Sequence, residues 1–182
     1  MNHLGTQRIE TERLILRPFV MEDAEAMYRN WASDPDVTKF LTWPTYKSVD
    51  TAHEILDIWT KQYADNTFYQ WAIELKELGE PIGSISVVEY KEHVQSAEIG
   101  YCIGKQWWGN GIMTEALKAV VDFLFREVGA LRIEAGHDVA NPASGAVMRK
   151  CGMTREGILR RSGKNNQGIC DMCIWSVLKA EY

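Results

Sequence analysis

No stretch of this chain approaches the roughly 18 consecutive apolar residues of a membrane-crossing helix, and Met1 to Arg13 is polar, without the apolar centre of an export signal. Neither a membrane span nor export is expected, which makes the cytoplasm the expected compartment. An excess of positive charge is also missing: 20 Lys and Arg stand against 25 Asp and Glu, a net charge of −5. Gripping nucleic acid or an anionic membrane needs clustered cations that displace phosphate counterions, so neither is expected as a direct partner, and a cationic acceptor fits better. Cysteine is sparse, at positions 102, 151, 170 and 173. Cys170-Asp-Met-Cys173 has half the spacing of a zinc or redox motif, but no second Cys pair or Cys/His pair accompanies it. On a strand, residues three apart also point to opposite faces, so reduced thiols and no metal are expected. No repeat, low-complexity run or linker divides the 182 residues, which suit one domain over 1–182.

What is present is a packable chain, 46% apolar and rich in Trp and Tyr. Alternating Leu14 and Leu16 predict a first strand ending near Pro18. Acidic Glu22 and Asp23 open a helix from about Met21 to Trp31, with Ala24, Met27, Tyr28 and Trp31 on one face. Residues 33–47, with two prolines and three aromatics, read as an ordered loop that either lines an acceptor pocket or anchors itself to the core. Ser48 suits the N-cap of a helix to about Tyr63. Phe68–Lys76 and Pro81–Tyr90 predict an antiparallel hairpin, followed by a strand over Ser96–Ile103. A helix after Gly111 and a strand over Ala130–His137 complete a βαβ unit with parallel strands. Pro142 begins a short helix to about Lys150 that Gly152 ends, and two strands, Glu156–Arg161 and Ile169–Lys179, close the chain. The expected fold is mixed α/β: one central, mostly antiparallel sheet, with the parallel βαβ unit forming a ligand cleft and helices flanking it.

The segment linking strand and helix, Gln106-Trp107-Trp108-Gly109-Asn110-Gly111, concentrates the functional signal. Two glycines let the backbone approach a ligand closely, and the first turn of a helix offers free N–H groups with partial positive charge, so the favoured ligand is an anion such as phosphate. A P-loop is excluded by spacing and by Gln106 after Lys105. A dinucleotide fingerprint is opposed by Thr114, where a glycine belongs, and by the five residues between strand and turn. An ordinary glycine turn remains open from these residues alone.

Gln106-x-x-Gly109-x-Gly111 resembles the acetyl-CoA pyrophosphate loop of the GNAT N-acetyltransferase superfamily. Glu98-Ile-Gly-Tyr before it, Thr-Glu-Ala-Leu after it, Thr11-Glu-Arg-Leu-Ile-Leu-Arg-Pro, and Asn141-x-x-Ser144-x-x-Val147-x-x-Lys150-x-Gly152 are similar to its ribosomal-protein N-terminal acetyltransferase (RimJ/RimL-like) branch. The resemblance implies that backbone amides of Trp108, Gly109, Asn110, Gly111, Ile112 and Met113, with Gln106, hold the pyrophosphate of acetyl-CoA. It implies that Tyr101, Cys102 and Ile103 pair with the pantetheine arm like an added strand, that Asn141 and Ser144 face the cofactor, and that Lys150 reaches a phosphate or stays solvated. It also implies an amine acceptor, a ribosomal or other protein N-terminus. A polyamine or aminoglycoside acceptor and a non-catalytic acyl-CoA-binding module are the alternatives. Whether the chain forms a homodimer is left open.

Many superfamily members carry a tyrosine acid where this chain has Met148, and an aromatic where it has Met153. Ser144 is then the expected proton donor to the departing thiolate, with bound water as its rival. Positioning the amine for direct attack can supply ~7–11 kcal/mol of the barrier. Deprotonating a lysine-like amine costs about 4–5 kcal/mol at neutral pH, and a peptide α-amine only about 1–1.5, which favours the α-amine. Glu98 is the expected base, directly or through water, against the alternative of a structural carboxylate. A backbone N–H near Ile103 would stabilise charge developing on the carbonyl oxygen. His53, His93 and His137 receive no role.

Overall fold

The computed structural model describes residues 1–182. Strand β1 (Ile9–Glu10), too short to show a period, lies on the outer edge of β2 (Leu14–Arg17). The alternation in β2 places Leu14 and Leu16 wholly out of water. Helix α1 has its α-helical turn at Ala24–Met27 between a 3-10 turn, Met21–Asp23, and a π turn, Tyr28–Ala32. Ala24, Met27 and Trp31 are buried, as their spacing requires. The loop over 33–47 holds one short helix, α2 (Pro35–Thr38). Helix α3 (Val49–Gln62) starts where Ser48 Oγ accepts the Asp50 N–H at 3.1 Å, an N-cap bond.

Strands β3 (Gln70–Leu75), β4 (Glu80–Lys91) and β5 (Ser96–Ile103) follow as a meander. Helix α4 (Ile112–Phe123), prolonged by a π turn over Leu124–Val128, carries the chain across to β6 (Arg132–Asp138). Then come α5 (Pro142–Lys150), β7 (Thr154–Asn165) and β8 (Gly168–Leu178). The sheet order is β1-β2-β3-β4-β5-β6-β8-β7. Every pairing is antiparallel except β5 with β6, the pair joined by the α4 crossover.

Helices cover both faces of this sheet. Leu117 and Val120 of α4 pack with Trp71 and Ile73 on one side, while Phe19, Trp31 and Leu56 fill the layer under α1 and α3. Because side chains alternate along a strand, Ala97, Ile99, Tyr101 and Ile103 of β5 join the α4 side, and Ser96, Glu98, Gly100 and Cys102 face the other. No helix is long and apolar enough to cross a membrane.

Candidate functional site

The parallel strands separate almost as soon as they meet. Their register covers only Ser96, Ala97 and Glu98 against Arg132, Ile133 and Glu134. Beyond it β5 stays with β4 as far as Ile103, and β6 stays with β8 as far as Asp138. The result is a V-shaped split with Glu98 at its vertex. Hydrogen-bonding direction alternates along an antiparallel strand, and Gly104 N–H donates to Ile82 O at 2.9 Å. The backbone groups of Gly104, Cys102 and Gly100 therefore face β4, and those of Tyr101 and Ile103 face the split. Cys102 is thereby separated from its neighbours: its thiol lies 3.5 Å from Ser84 Oγ on the opposite side of the sheet. The Ile103 carbonyl is taken by the Trp108 indole N–H at 2.9 Å, leaving the Tyr101 carbonyl and the Tyr101 and Ile103 N–H groups for a strand-like ligand.

At the wide end of the V stands the head of α4. Gly109 and Gly111 have φ of +77° and +74°, a left-handed conformation in which side chains are strained, which explains glycine at both positions. No side chain caps the helix, and Glu115 N–H is the first to donate within it, to Gly111 O at 3.1 Å. The N–H groups of Ile112, Met113 and Thr114 are thus free, and those of Gly109, Asn110 and Gly111 find no backbone acceptor. The Trp108 N–H differs from this run, donating to Lys105 O at 3.2 Å. Gln106 lines a depression with Asp34, Glu80 and Lys105.

The sequence did not reveal what holds this helix head in place. Glu115 accepts from Thr11 Oγ1 at 2.7 Å, from the Arg13 N–H at 2.9 Å and from Arg13 Nε at 2.6 Å. Despite its partial burial, these bonds hold its carboxyl below the ordinary range. Arg13 Nη1 also donates to Asn110 O at 2.9 Å, and Nη2 lies 3.7 Å from where a Gly111 Cβ would stand, so a guanidinium borders the loop. The available signal was the presence in one chain of Thr11-Glu-Arg13 and Thr114-Glu115; only the fold shows that they touch.

Glu98 lies in a row of carboxylates, with Glu89 of β4 and Glu134 of β6 as its register partners. Glu134 is neutralised by Lys91 at 2.8 Å and Arg132 at 2.9 Å, and despite burial those hydrogen bonds keep it ionised at unusually low pH. Glu98 has no such partner. Burial, then the charges of Glu134 and Glu89, push its carboxyl above the ordinary value, against a weaker pull from Lys91. A half-buried carboxylate lacking a cation and lifted in pKa accepts a proton more readily than an ordinary one. Past the vertex, both strands carry glycine on the Glu98 face. A Cβ on Gly100 would meet Val88 at 2.9 Å, and one on Gly136 would meet Ile174 and Met172 at 3.2 Å, so this floor is kept low.

Across the split, the Tyr101 hydroxyl lies 3.0 Å from Ser144 Oγ and donates to Ser144 O at 3.1 Å. Burial raises the phenol far above its ordinary pKa, so it remains a proton donor. Tyr101 enters the sequence reading only through its backbone; nothing local shows that its ring spans from β5 to α5. Asn141 stands at the head of α5 with its side chain making no cap bond, Met148 is buried beneath that helix, and Lys150 is exposed at its far end. The structure thus gathers Glu98, Tyr101, Ile103 and Ser144 around the split and Gly109–Met113 at its mouth.

Comparison with known proteins places this geometry. Residues 13–154 match the acetyltransferase (GNAT) domain family. An uncharacterized N-acetyltransferase of Bacillus licheniformis, p20, is 31% identical over 176 residues, covering 97% of this chain and 98% of its own length. A Bacillus subtilis protein, YdaF, named provisionally as a ribosomal N-acetyltransferase, is 32% identical over 136 residues, 74% of this chain and 73% of its own. A crystal structure described as a probable acetyltransferase superposes with a TM-score of 0.87 at 28% identity, covering 97% of this chain and 99% of that one.

Proposed function

The chain belongs to the GNAT acetyltransferase family and is an N-acetyltransferase, and from that premise we propose that it moves the acetyl group of acetyl-CoA onto a protein N-terminal α-amine by direct attack in a ternary complex, the whole chain acting as one catalytic domain. The observation that carries this reading is the run of free N–H groups at the head of α4, opening onto a split whose vertex holds a carboxylate without a cation. A diphosphate fits the first feature, and an extended arm bearing amides fits the open edge of β5.

Acetyl-CoA, when bound, supplies a thioester carbonyl open to attack by an amine. The chain's own contribution is positioning and proton transfer. Gly109, Asn110, Gly111, Ile112 and Met113 hold the diphosphate through backbone N–H groups, with the Arg13 guanidinium alongside. Tyr101 and Ile103 align the amide-bearing arm, Asn141 and Ser144 face it from α5, and Lys150 serves a peripheral phosphate. Glu98 takes the proton that the attacking amine must lose. Ser144, backed by the Tyr101 hydroxyl, returns a proton to the departing sulfur, so Tyr101 stands in for the missing tyrosine at Met148.

Two considerations support the α-amine. Its pKa near ~8 makes the neutral form accessible to a single modest base, and the provisional name of the B. subtilis relative points to a ribosomal protein. A second acceptor class, a polyamine, is favoured by Glu98 and the exposed Glu89 beside it, carboxylates that attract cations. A panel of peptides with free N-termini, the same peptides N-terminally blocked, and polyamines separates the two. Thiol release is expected only with acetyl-CoA plus a free-N-terminal peptide. Faster release with polyamines would transfer the assignment to small amines.

A further inference from the structure

Every arginine from Arg8 to Arg132 sits in an ion pair with a carboxylate. Arg149, Arg155, Arg160 and Arg161 hold none, and all four are exposed on the segment running from the end of α5 into β7. Lys164 extends that segment, and its one carboxylate, Glu156, is taken by Arg132 at 2.6 Å. A chain with a net charge of −5 thus carries a concentrated positive surface along one edge of its sheet.

That surface contains a groove of about 500 Å³ between α5 and β7. Ala146 and Arg149 form one wall, Arg155 and Ile158 the other, and Trp175 and Cys173 the floor. Arg155 Nε donates to Cys173 Sγ at 3.2 Å, which draws its guanidinium over the floor. Trp175 keeps its indole N–H buried without an acceptor. Glu98 faces the other side of the sheet, and no residue of the α4 head lines the groove, so it is separate from the proton-accepting vertex and from the head of α4.

We propose that this groove docks an acidic protein segment, with an apolar side chain on the Trp175 floor and flanking carboxylates paired to Arg149 and Arg155. Charge complementarity identifies the occupant. Unpaired guanidiniums match carboxylates in a two-pronged geometry, and an apolar floor gains nothing from a sugar–phosphate backbone. The acidic remainder of the surface further penalises a long polyanion while leaving a short segment unaffected. This inference does not depend on the acetyl acceptor.

The test is fluorescence anisotropy with the full chain and three short labelled probes: a peptide alternating Glu and Leu, the same peptide with Gln for Glu, and a single-stranded RNA of matching length. The Glu/Leu peptide is expected to bind at low ionic strength. Affinity should fall about tenfold or more for the Gln peptide and for the R149Q/R155Q variant, whose thermal midpoint and acetyl-CoA turnover should match the parent. Equal affinity for parent and variant, no binding by the parent, or tighter binding of the RNA would each overturn the proposal.

Discussion

At the residue scale, the proposed chemistry depends on a carboxylate that the fold leaves without a cation. Lys91 and Arg132 serve Glu134, and Glu98 is left between two like charges with its pKa raised. A raised carboxyl pKa means that the ionised form costs stability. Below the ordinary value of 4.5 the group is neutral whether folded or unfolded; the cost builds as pH rises above that value and is complete above the folded pKa. Glu98→Gln should therefore raise the thermal midpoint near neutral pH, with the gain vanishing in acid, while kcat falls by about 10²–10⁴, the usual contribution of a general base. The pH profile adds a check, because the acid limb of kcat/KM should disappear in the variant. A variant that keeps the limb, or is less stable than the parent near neutrality, would remove Glu98 from this role. Gly111→Val should lose acetyl-CoA binding in calorimetry while staying folded, the positive φ costing about 1–3 kcal/mol. Retained affinity would show that the head of α4 is not the phosphate site.

At the scale of elements, the Glu115 clamp connects the β1–β2 turn to α4. Hydrogen bonds to a charged group contribute about 1.5–3 kcal/mol each when well made, and less where solvent reaches them, as it does Arg13. Glu115→Ala should thus lower the thermal midpoint by a few degrees and weaken acetyl-CoA binding several-fold, with the KM for the amine unchanged. An effect on the amine alone would contradict a role in setting the helix head. Thr11, Arg13 and Glu115 also mark where the sequence stops being informative. Local residue patterns located β5 at Ser96–Ile103, α5 at Pro142–Lys150 and the cap at Ser48, because each depends on residues adjacent in the chain. The glycine loop was legible for the same reason: positive φ and a helix head are local properties. The Glu115 clamp, the Tyr101–Ser144 contact and the orientation of Cys102 toward β4 depend on pairings between distant segments, which no local pattern encodes. The two-residue β1 was too short for any period, and the π turns in α1 and after α4 leave no residue-type signature.

At the scale of the molecule, the sheet divides two tasks between its faces. One face, under α4 and α5, holds the head of α4 and most of the apolar core; the other exposes Glu98 at the point where β5 and β6 part. The tip of the β7–β8 hairpin is fastened to the loop that carries α2. Asn166 donates its side-chain N–H groups to Thr38 O and Trp43 O at 2.8 Å each, and its backbone N–H to Leu41 O at 3.1 Å. Asn166→Ala should free both segments, raising the KM for a peptide acceptor without altering acetyl-CoA affinity, as steady-state kinetics would show. With Glu98 as its one modest base, the enzyme is predicted to select an amine that is easily deprotonated. The most direct test offers it a peptide carrying both a free N-terminus and a lysine, with acetyl-CoA, and locates the product's acetyl group by tandem mass spectrometry. A single acetyl group on the α-nitrogen is predicted; acetylation of the lysine side chain, or none at all, would contradict the account.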